Sequence, residues 1–322
     1  MTTYNSRAKS ISLFDTSIFL ELLRLMKPRV MSLVIFTCAV GLLTAPGEIS
    51  FIKSITNIFF VTLGAGAAGA LNMWYEADLD KLMSRTCLRP LPTGKLKKKH
   101  ALIFGIVLSV VSVLGLYYFS NLLSALVLLF TISFYLFVYT IWLKRRTPQN
   151  IVIGGASGAL PPVIGWTIVT NSLSLEALSF FLIIFFWTPS HFWALSLYKV
   201  GDYKRAKIPM LPVTNGIENT KKNIFVYSLL MLPTLALPYV IGFVGELFLV
   251  STFGLTIYYI LLCYALLKTK KDSFDLQKAK RVFGYSIFYL FFIFVLFLID
   301  KLFYWKSTKK LKKRIYLLLL DL

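Results

Sequence analysis

The sequence predicts an all-α polytopic membrane protein, about nine transmembrane helices in one bundle around a central pocket that opens to the cytoplasmic side. Three observations lead there. Hydrophobic residues fill 57% of the 322 positions and aromatics 16%, with a mean hydropathy of +0.72, which no ordinary soluble domain carries. Several stretches run about twenty residues without a charge, the length an α-helix needs to cross roughly 30 Å of hydrocarbon. Basic residues gather in every second loop, the pattern by which a polytopic chain sets its orientation.

The elements follow in order. The stretch ISLFDTSIFLELLRLMKPRV is interrupted by Asp15, Glu21 and Arg24, so it lacks the apolar core of a signal peptide and suits an amphipathic helix at the cytoplasmic surface. Residues 1–29 are therefore a cytoplasmic segment. Spans are expected near 30–46, 54–75, 101–119, 121–143, 151–170, 177–198, 223–244, 247–267 and 282–300, which makes 30–300 the membrane domain and 301–322 a basic tail. The third and fourth spans are separated only by the polar break at Ser120 and Asn121.

The segment before the first span carries five Lys and Arg, and the loops 76–100, 144–150, 199–222 and 268–281 carry seven, three, six and six. The alternate loops carry Lys53 and no other basic residue. The N-terminus and the charged loops are thus placed in the cytoplasm, and a multi-pass protein of the inner membrane is expected. The formal charge of +21 reads as topology and attraction to anionic lipid or substrate, not nucleic-acid binding. Nine spans leave the tail outside although it holds seven further Lys and Arg; either one span is miscounted or the tail is an amphipathic interfacial helix, the reading favoured here. Cys38, Cys87 and Cys263 have no metal-ligand spacing, and Cys87 lies on the reducing side, so neither a disulfide framework nor a zinc site is indicated.

Function concentrates in residues 72–94, NMWYEADLDKLMSRTCLRPLPTG. Carboxylates at the edge of a bilayer are expensive, and a cluster of them beside arginines marks a functional site. If the helix continues through the cluster, Asn72, Glu76 and Asp80 repeat every four residues and share one face, where three oxygen-bearing side chains converge on a hard cation; Asp78 points elsewhere. The loop LYKVGDYKRAKIPMLPVTNG supplies Lys199, Asp202, Tyr203, Lys204, Arg205 and Lys207, and its Pro209 and Pro212 end any helix. The loop LKRRTPQN adds Lys144, Arg145 and Arg146, with Asn150 as N-cap of the next helix. By parity the three loops face the same side. His191 lies inside an apolar span, where an ionisable residue is a candidate for ligating or orienting a cofactor, or for a hydrogen bond between helices. The glycines of GAGAAGALN and GGASGALPP are read as close packing points, with a groove for a flat macrocycle as the alternative.

Such an arrangement suits a substrate with a polyanionic head and a greasy tail. Carboxylates repel a diphosphate unless Mg2+ lies between them, and Mg2+ takes one or two carboxylates and fills its octahedron with phosphate oxygens and water. Metal and guanidinium groups aimed at a departing diphosphate lower the barrier electrostatically. The allylic cation left behind needs a dry aromatic pocket.

The run at 72–80 resembles the first aspartate-rich motif of the intramembrane aromatic prenyltransferases. MSRTCLRPLPTG, KRRTPQNIVIGGASGALPPVIGW, TPSHFWALSLYK and DYKRAKIPMLP resemble its protohaem IX farnesyltransferase branch, over roughly residues 20–220. The resemblance implies nine helices, Mg2+, and transfer of the farnesyl group of farnesyl diphosphate to a vinyl group of haem b, with water added, giving haem O and diphosphate. It implies that Asn72, Glu76 and Asp80 hold Mg2+-diphosphate, that Asp202 approaches from the second motif, and that Arg85, Arg89, Lys144, Arg145 and Lys199 contact phosphate. Asn150, Tyr203 and His191 complete the substrate-binding set, and haem A synthase is the partner downstream. Two departures are present: Glu76 stands where the family usually has Asp, and Ala206 follows Asp202 by four residues where the wider superfamily has a further aspartate. Competing readings are a prenyltransferase for a quinone precursor such as a hydroxybenzoate, a transporter, and a structural oxidase subunit. The HFWAL and RTPQN stretches oppose the first, the one-sided charges and lack of an evident inverted repeat oppose the second, and the carboxylate cluster opposes the third.

Overall fold

The computed structural model of the chain describes residues 16–269 and 276–320, with side chains up to residue 303. Thirteen α-helices and one π-helical segment follow in order: α1 Thr16–Leu25, α2 Pro28–Thr44, α3 Phe51–Asp80, α4 Lys98–Phe119, α5 Leu122–Ser133, the π segment Phe134–Leu143, α6 Asn150–Ala159, α7 Pro161–Thr170, α8 Leu175–Tyr198, α9 Val200–Arg205, α10 Leu211–Thr214, α11 Gly216–Val240, α12 Glu246–Leu267 and α13 Leu276–Leu320. Among the described residues, eight helical stretches are long and apolar enough to cross a membrane, and α1 with α2, bent by 52°, makes a ninth as a broken span.

The expected breaks have local causes. At the close of α4, Asn121 accepts from Ser124 N at 2.8 Å and donates to the Thr167 carbonyl at 2.8 Å. This N-cap starts α5 and pins the turn to α7, so the third and fourth spans are separate. Between α1 and α2, Lys27 takes a left-handed conformation (φ 54°, ψ 55°) and Pro28 opens the next helix, where its missing N–H costs nothing. Helix α1 packs on α3 and α4: Leu25 is buried beside Ala70, Met73 and Ala77, and buried Glu21 takes Arg24 at 2.6 Å and Lys95 at 3.1 Å. Ile18, Phe19, Leu20 and Leu23 stay exposed, which keeps the amphipathic character read from the sequence. At the other end of the chain, α13 continues unbroken past Asp300 to Leu320. Asp300 accepts from Gly245 N at 2.8 Å and Phe248 N at 3.2 Å, satisfying the free amides that open α12.

Two cores flank the bundle axis. One joins α8, α11, α12 and α13 through Phe180, Trp193, Tyr259, Tyr289, Phe294 and Phe297. The other joins α2, α3, α5 and α7 through Cys38, Val61, Leu128, Ile132 and Ile164. Helices α2 and α7 touch backbone to backbone: a Cβ on Gly165 would overlap the Cys38 carbonyl oxygen, and one on Gly41 the Pro162 carbonyl. In a bilayer, where lipid tails are as apolar as leucine, such close approach supplies the association energy that burial supplies in water. Gly154 is the same kind of position, its face filled by Tyr139.

Gly165→Val is therefore expected to lower the melting temperature of the purified protein sharply, since overpacking costs about 1–3 kcal/mol even where neighbours can shift, and backbone cannot. Gly158→Ala, with open space around it, should melt like the wild type. Equal melting of all three proteins would refute the crossing.

Candidate active site

Helix α3 runs to Asp80 without a break, so Asn72, Glu76 and Asp80 do line one face, each only 2–3% exposed. Every one of them meets a donor from another part of the chain. Lys27 Nζ donates to Asn72 Oδ1 at 2.6 Å, and Asn72 Nδ2 donates to Thr140 Oγ1 at 3.1 Å. Lys144 Nζ lies 2.6 Å from Glu76 Oε2 and 2.5 Å from Oε1. Arg89 Nη1 reaches both oxygens of Asp80, at 2.9 and 2.8 Å. The loop after α3 folds back to place that arginine, held by Thr86 Oγ1 on the Asp80 carbonyl at 3.0 Å. Asp78 points the other way as expected, half-exposed.

Arg145 goes with Asp78 and not with the ladder. Its guanidinium makes two bonds to the Asp78 carboxylate, at 3.0 and 3.1 Å, and lies over the Tyr75 ring at 5.1 Å. Asn150 differs from its expected role as well: it is the first residue of α6, not the cap, and its Nδ2 donates back to the Thr147 carbonyl at 2.5 Å while its buried Oδ1 has no partner. Arg85 is exposed and has no acidic partner among the described residues, and Lys199 is half-buried at the end of α8.

Helix α9 carries the second motif. Asp202 is buried and accepts from Ser84 Oγ at 2.6 Å and from Arg205. Burial pulls the Asp202 pKa upward, but the Ser84 hydroxyl and backbone amide, then Arg205 and Lys199, outweigh it and hold the carboxyl below its ordinary value. Tyr203 is buried among Leu79, Met83, Ile151 and Met210, which locks α9 to the end of α3 and to α6. Asp202 thus closes the loop after the ladder without joining it. Among the described residues no three His, Cys, Asp or Glu side chains converge as a metal-ligating group.

The ladder suits Mg2+ nonetheless, because that ion uses one or two carboxylates and takes its remaining oxygens from phosphate and water. Lys144 Nζ lies within 2.6 Å of both Glu76 oxygens, and an ionised carboxylate offers about four lone-pair sites, so room for a metal bond remains. Asn72, Glu76 and Asp80 are the residues that would hold the ion.

The π segment supplies the opposite wall. Its backbone bonds run i to i+5, as from Lys144 N to the Tyr139 carbonyl at 3.0 Å, and such widened turns occur mostly at functional sites. Thr140 and Lys144 face α3, with Tyr135 and Tyr139 paired at 5.3 Å between centroids beside them. Lys27, Thr140 and Ser84 were missed in the sequence. Lys27 comes from 45 residues away, and its only signal is the Lys-Pro step at which α1 must stop.

His191, buried in α8, is stacked between Trp187 at 4.3 Å and Phe283 at 4.7 Å. Its Nδ1 is 2.6 Å from Ser286 Oγ, and that hydroxyl gives its one hydrogen to the Phe283 carbonyl at 2.6 Å. The histidine therefore donates from Nδ1, which leaves the lone pair on Nε2. Trp187 Nε1 bonds the Ser286 carbonyl at 2.9 Å, so one serine of α13 orients both rings.

Compared with known proteins, residues 33–293 match the UbiA prenyltransferase family. The chain belongs to this family. Curated relatives named protoheme IX farnesyltransferase include one from Pelagibacter ubique (strain HTCC1062), 68% identical over 300 residues that cover 92% of this chain and 99% of that one. Another, from Parvibaculum lavamentivorans, is 50% identical over 88% of this chain and 89% of that one. Among solved structures, a digeranylgeranylglyceryl phosphate synthase superposes with a TM-score of 0.72 at 18% identity, covering 89% of this chain and 99% of its own. A UbiA homologue from Archaeoglobus fulgidus bound to DMAPP and Mg2+ gives 0.61 at 18% identity, over 85% and 99%. At that identity the two structures share the fold with this chain.

For this family member, Lys27→Met should cut prenyl transfer by about tenfold or more, since a hydrogen bond to a charged group is worth roughly 1.5–3 kcal/mol, without lowering the amount of folded protein. Arg145→Met should stay within about threefold, as expected for an exposed ion pair. The reverse ranking of the two variants in a transfer assay would overturn the assignment of the two cations.

Proposed function

We propose that the protein transfers the farnesyl group of farnesyl diphosphate to a vinyl group of haem b, with addition of water, yielding haem O and diphosphate. The observation that carries the reading is the buried Asn72, Glu76 and Asp80 face, answered by Lys27, Lys144 and Arg89, in a chain 68% identical to a protoheme IX farnesyltransferase. The prenyltransferase unit spans residues 30–300 in the inner membrane, with the cytoplasmic segment 1–29 before it and the basic tail 301–322 after it. Haem O then passes to haem A synthase.

The ladder and its cations bind the diphosphate head. When bound by Asn72, Glu76 and Asp80, Mg2+ supplies charge neutralisation to the departing diphosphate. Lys144, Arg89 and Lys27 add fixed positive charge at the same end of α3, with Arg85 and Lys199 at the rim, so that negative charge accumulating on the leaving group is met without solvent reorganisation. Asp202 positions the loop through Ser84. The allylic end of the chain, as it becomes cationic, faces the Tyr135 and Tyr139 rings, whose π faces stabilise positive charge. Below Asn72, the same face of α3 continues as Ala68, Ala65, Gly64 and Val61, which line an apolar crevice of about 30 Å3 with Leu128 and Ile164. At that volume the crevice holds about one water, so it is the apolar face of α3, and not this space, that gives the prenyl tail a dry direction to run. His191, with its Nε2 lone pair free, is the candidate to meet haem iron from α8.

Membranes incubated with haem b and farnesyl diphosphate should yield haem O by mass analysis of the extracted haem, and a chelator should abolish it. Asp80→Asn should lose turnover while inserting and accumulating normally, and Glu76→Asp, which restores the usual family residue, should keep about half of the activity or more. Conversion of a hydroxybenzoate but not of haem would keep the enzyme class and remove the haem assignment.

The acceptor side separates from the donor side. His191→Ala should shrink or shift the Soret band of haem-loaded protein and leave farnesyl diphosphate affinity nearly unchanged, whereas Asp80→Asn should do the opposite. A wild-type haem spectrum and turnover in the histidine variant would make His191 a packing residue.

A further inference from the structure

At the end of the bundle opposite the carboxylate ladder, the turn from α2 into α3, the end of α4 and the end of α7 enclose a cavity of about 240 Å3, bounded by Glu48, Ser50, Lys53, Asn57 and Phe119 among others. Nothing in prenyl transfer uses it. Its floor is Asn57, 1% exposed, whose Nδ2 makes one long bond to the Phe119 carbonyl at 3.5 Å and whose Oδ1 is buried without a partner. An orphaned buried acceptor is costly, and natural structures keep few of them.

The rim has two charges of opposite sign. Glu48 and Lys53 are exposed, and among the described residues neither side chain makes an ion pair or hydrogen bond. Lys53, in the first turn of α3, is the one basic residue near the connections that join spans on this side, where lysine and arginine are otherwise avoided. A ligand that satisfies the site brings an N–H donor to Asn57 Oδ1, a positive charge to Glu48 and a negative charge to Lys53. The rim also continues into membrane-facing apolar side chains, Phe51 78%, Ile52 77%, Ile55 52% and Phe119 56% exposed. That surface calls for acyl chains on the same ligand.

We propose that this cavity binds the headgroup of an ethanolamine phospholipid from the leaflet at that face. The primary ammonium enters toward Asn57 and Glu48, and the phosphodiester stays at Lys53. The assignment is selective on chemical grounds. A choline headgroup has the charge but no N–H to give Asn57. A glycerol headgroup has hydroxyl donors but no cation for Glu48.

Native mass spectrometry of the delipidated protein, titrated with phosphatidylethanolamine, phosphatidylcholine or phosphatidylglycerol, tests the site. One ethanolamine lipid should be retained about tenfold more tightly than either of the others, and it should raise the melting temperature where the others do not. Glu48→Gln, at an exposed position that folds without its charge, should erase the preference over phosphatidylglycerol, Asn57→Leu should erase that over phosphatidylcholine where it folds, and Lys53→Gln should weaken every lipid alike. All three should keep prenyl transfer in detergent. Displacement of the lipid by soluble glycerophosphoethanolamine supports recognition through the headgroup. Equal retention of the three lipids, or a preference over phosphatidylglycerol that survives in Glu48→Gln, overturns the proposal.

Discussion

Glu76 and Asp80 sit almost wholly out of water at the end of a membrane helix, where a carboxylate costs several kcal/mol unless a cation and hydrogen bonds answer it. The rest of the architecture near the site can be read as the supply of those answers. The loop after α3 turns back to bring Arg89. The π segment brings Lys144, and the bend between α1 and α2 brings Lys27, held in a left-handed conformation that a lysine adopts only at a cost of roughly 1–3 kcal/mol. Removing any one of these cations leaves an uncompensated charge or amide in a poor solvent. A multivalent anion arriving with a metal, by contrast, gives both carboxylates and cations new partners of the right sign.

The scaffold that keeps these groups in register is rigid for a different reason. Where α2 crosses α7, glycines place main chain on main chain, and the aromatic cluster of α8, α11, α12 and α13 fills the other half of the bundle. Lys221, fully buried, adds a polar stitch at the same end as the active site, donating to the Thr269 carbonyl at 2.7 Å. Helix α8 belongs to the aromatic half and holds His191. Helix α3 belongs to the other half and holds the ladder. The ladder and His191 therefore stand on separate cores.

Much of this was legible in the sequence, and the exceptions have physical causes. A four-residue repeat of oxygen-bearing side chains at a span end needs no tertiary information, and the split at Ser120 and Asn121 follows from one capping residue. Loop charges, however, say which side a residue is on and not which neighbour it finds. Arg145 and Lys144 are adjacent in the chain, yet they diverge to Asp78 and Glu76 because consecutive residues leave a helix end in different directions. Asn150 was read as a cap, but the helix starts one residue earlier in its turn and the side chain bonds backwards. Lys27 was invisible because its partner is distant in sequence and its position depends on the bend.

The π segment carries a consequence for how this wall of the site is encoded. Tyr135 and Lys144 are nine residues apart; at 3.6 residues per turn they would point to opposite sides of a helix, half a revolution from each other. Both come to the ladder only because the backbone ladder there skips to the fifth residue. The identity of the active-site wall is thus written in a hydrogen-bonding period and not only in side chains. Restoring ordinary helix over 135–144 with no change of length would leave every functional residue present in the chain and turn one of the two away from the reaction. A single deletion there would instead leave them eight residues apart, about 80° around the axis.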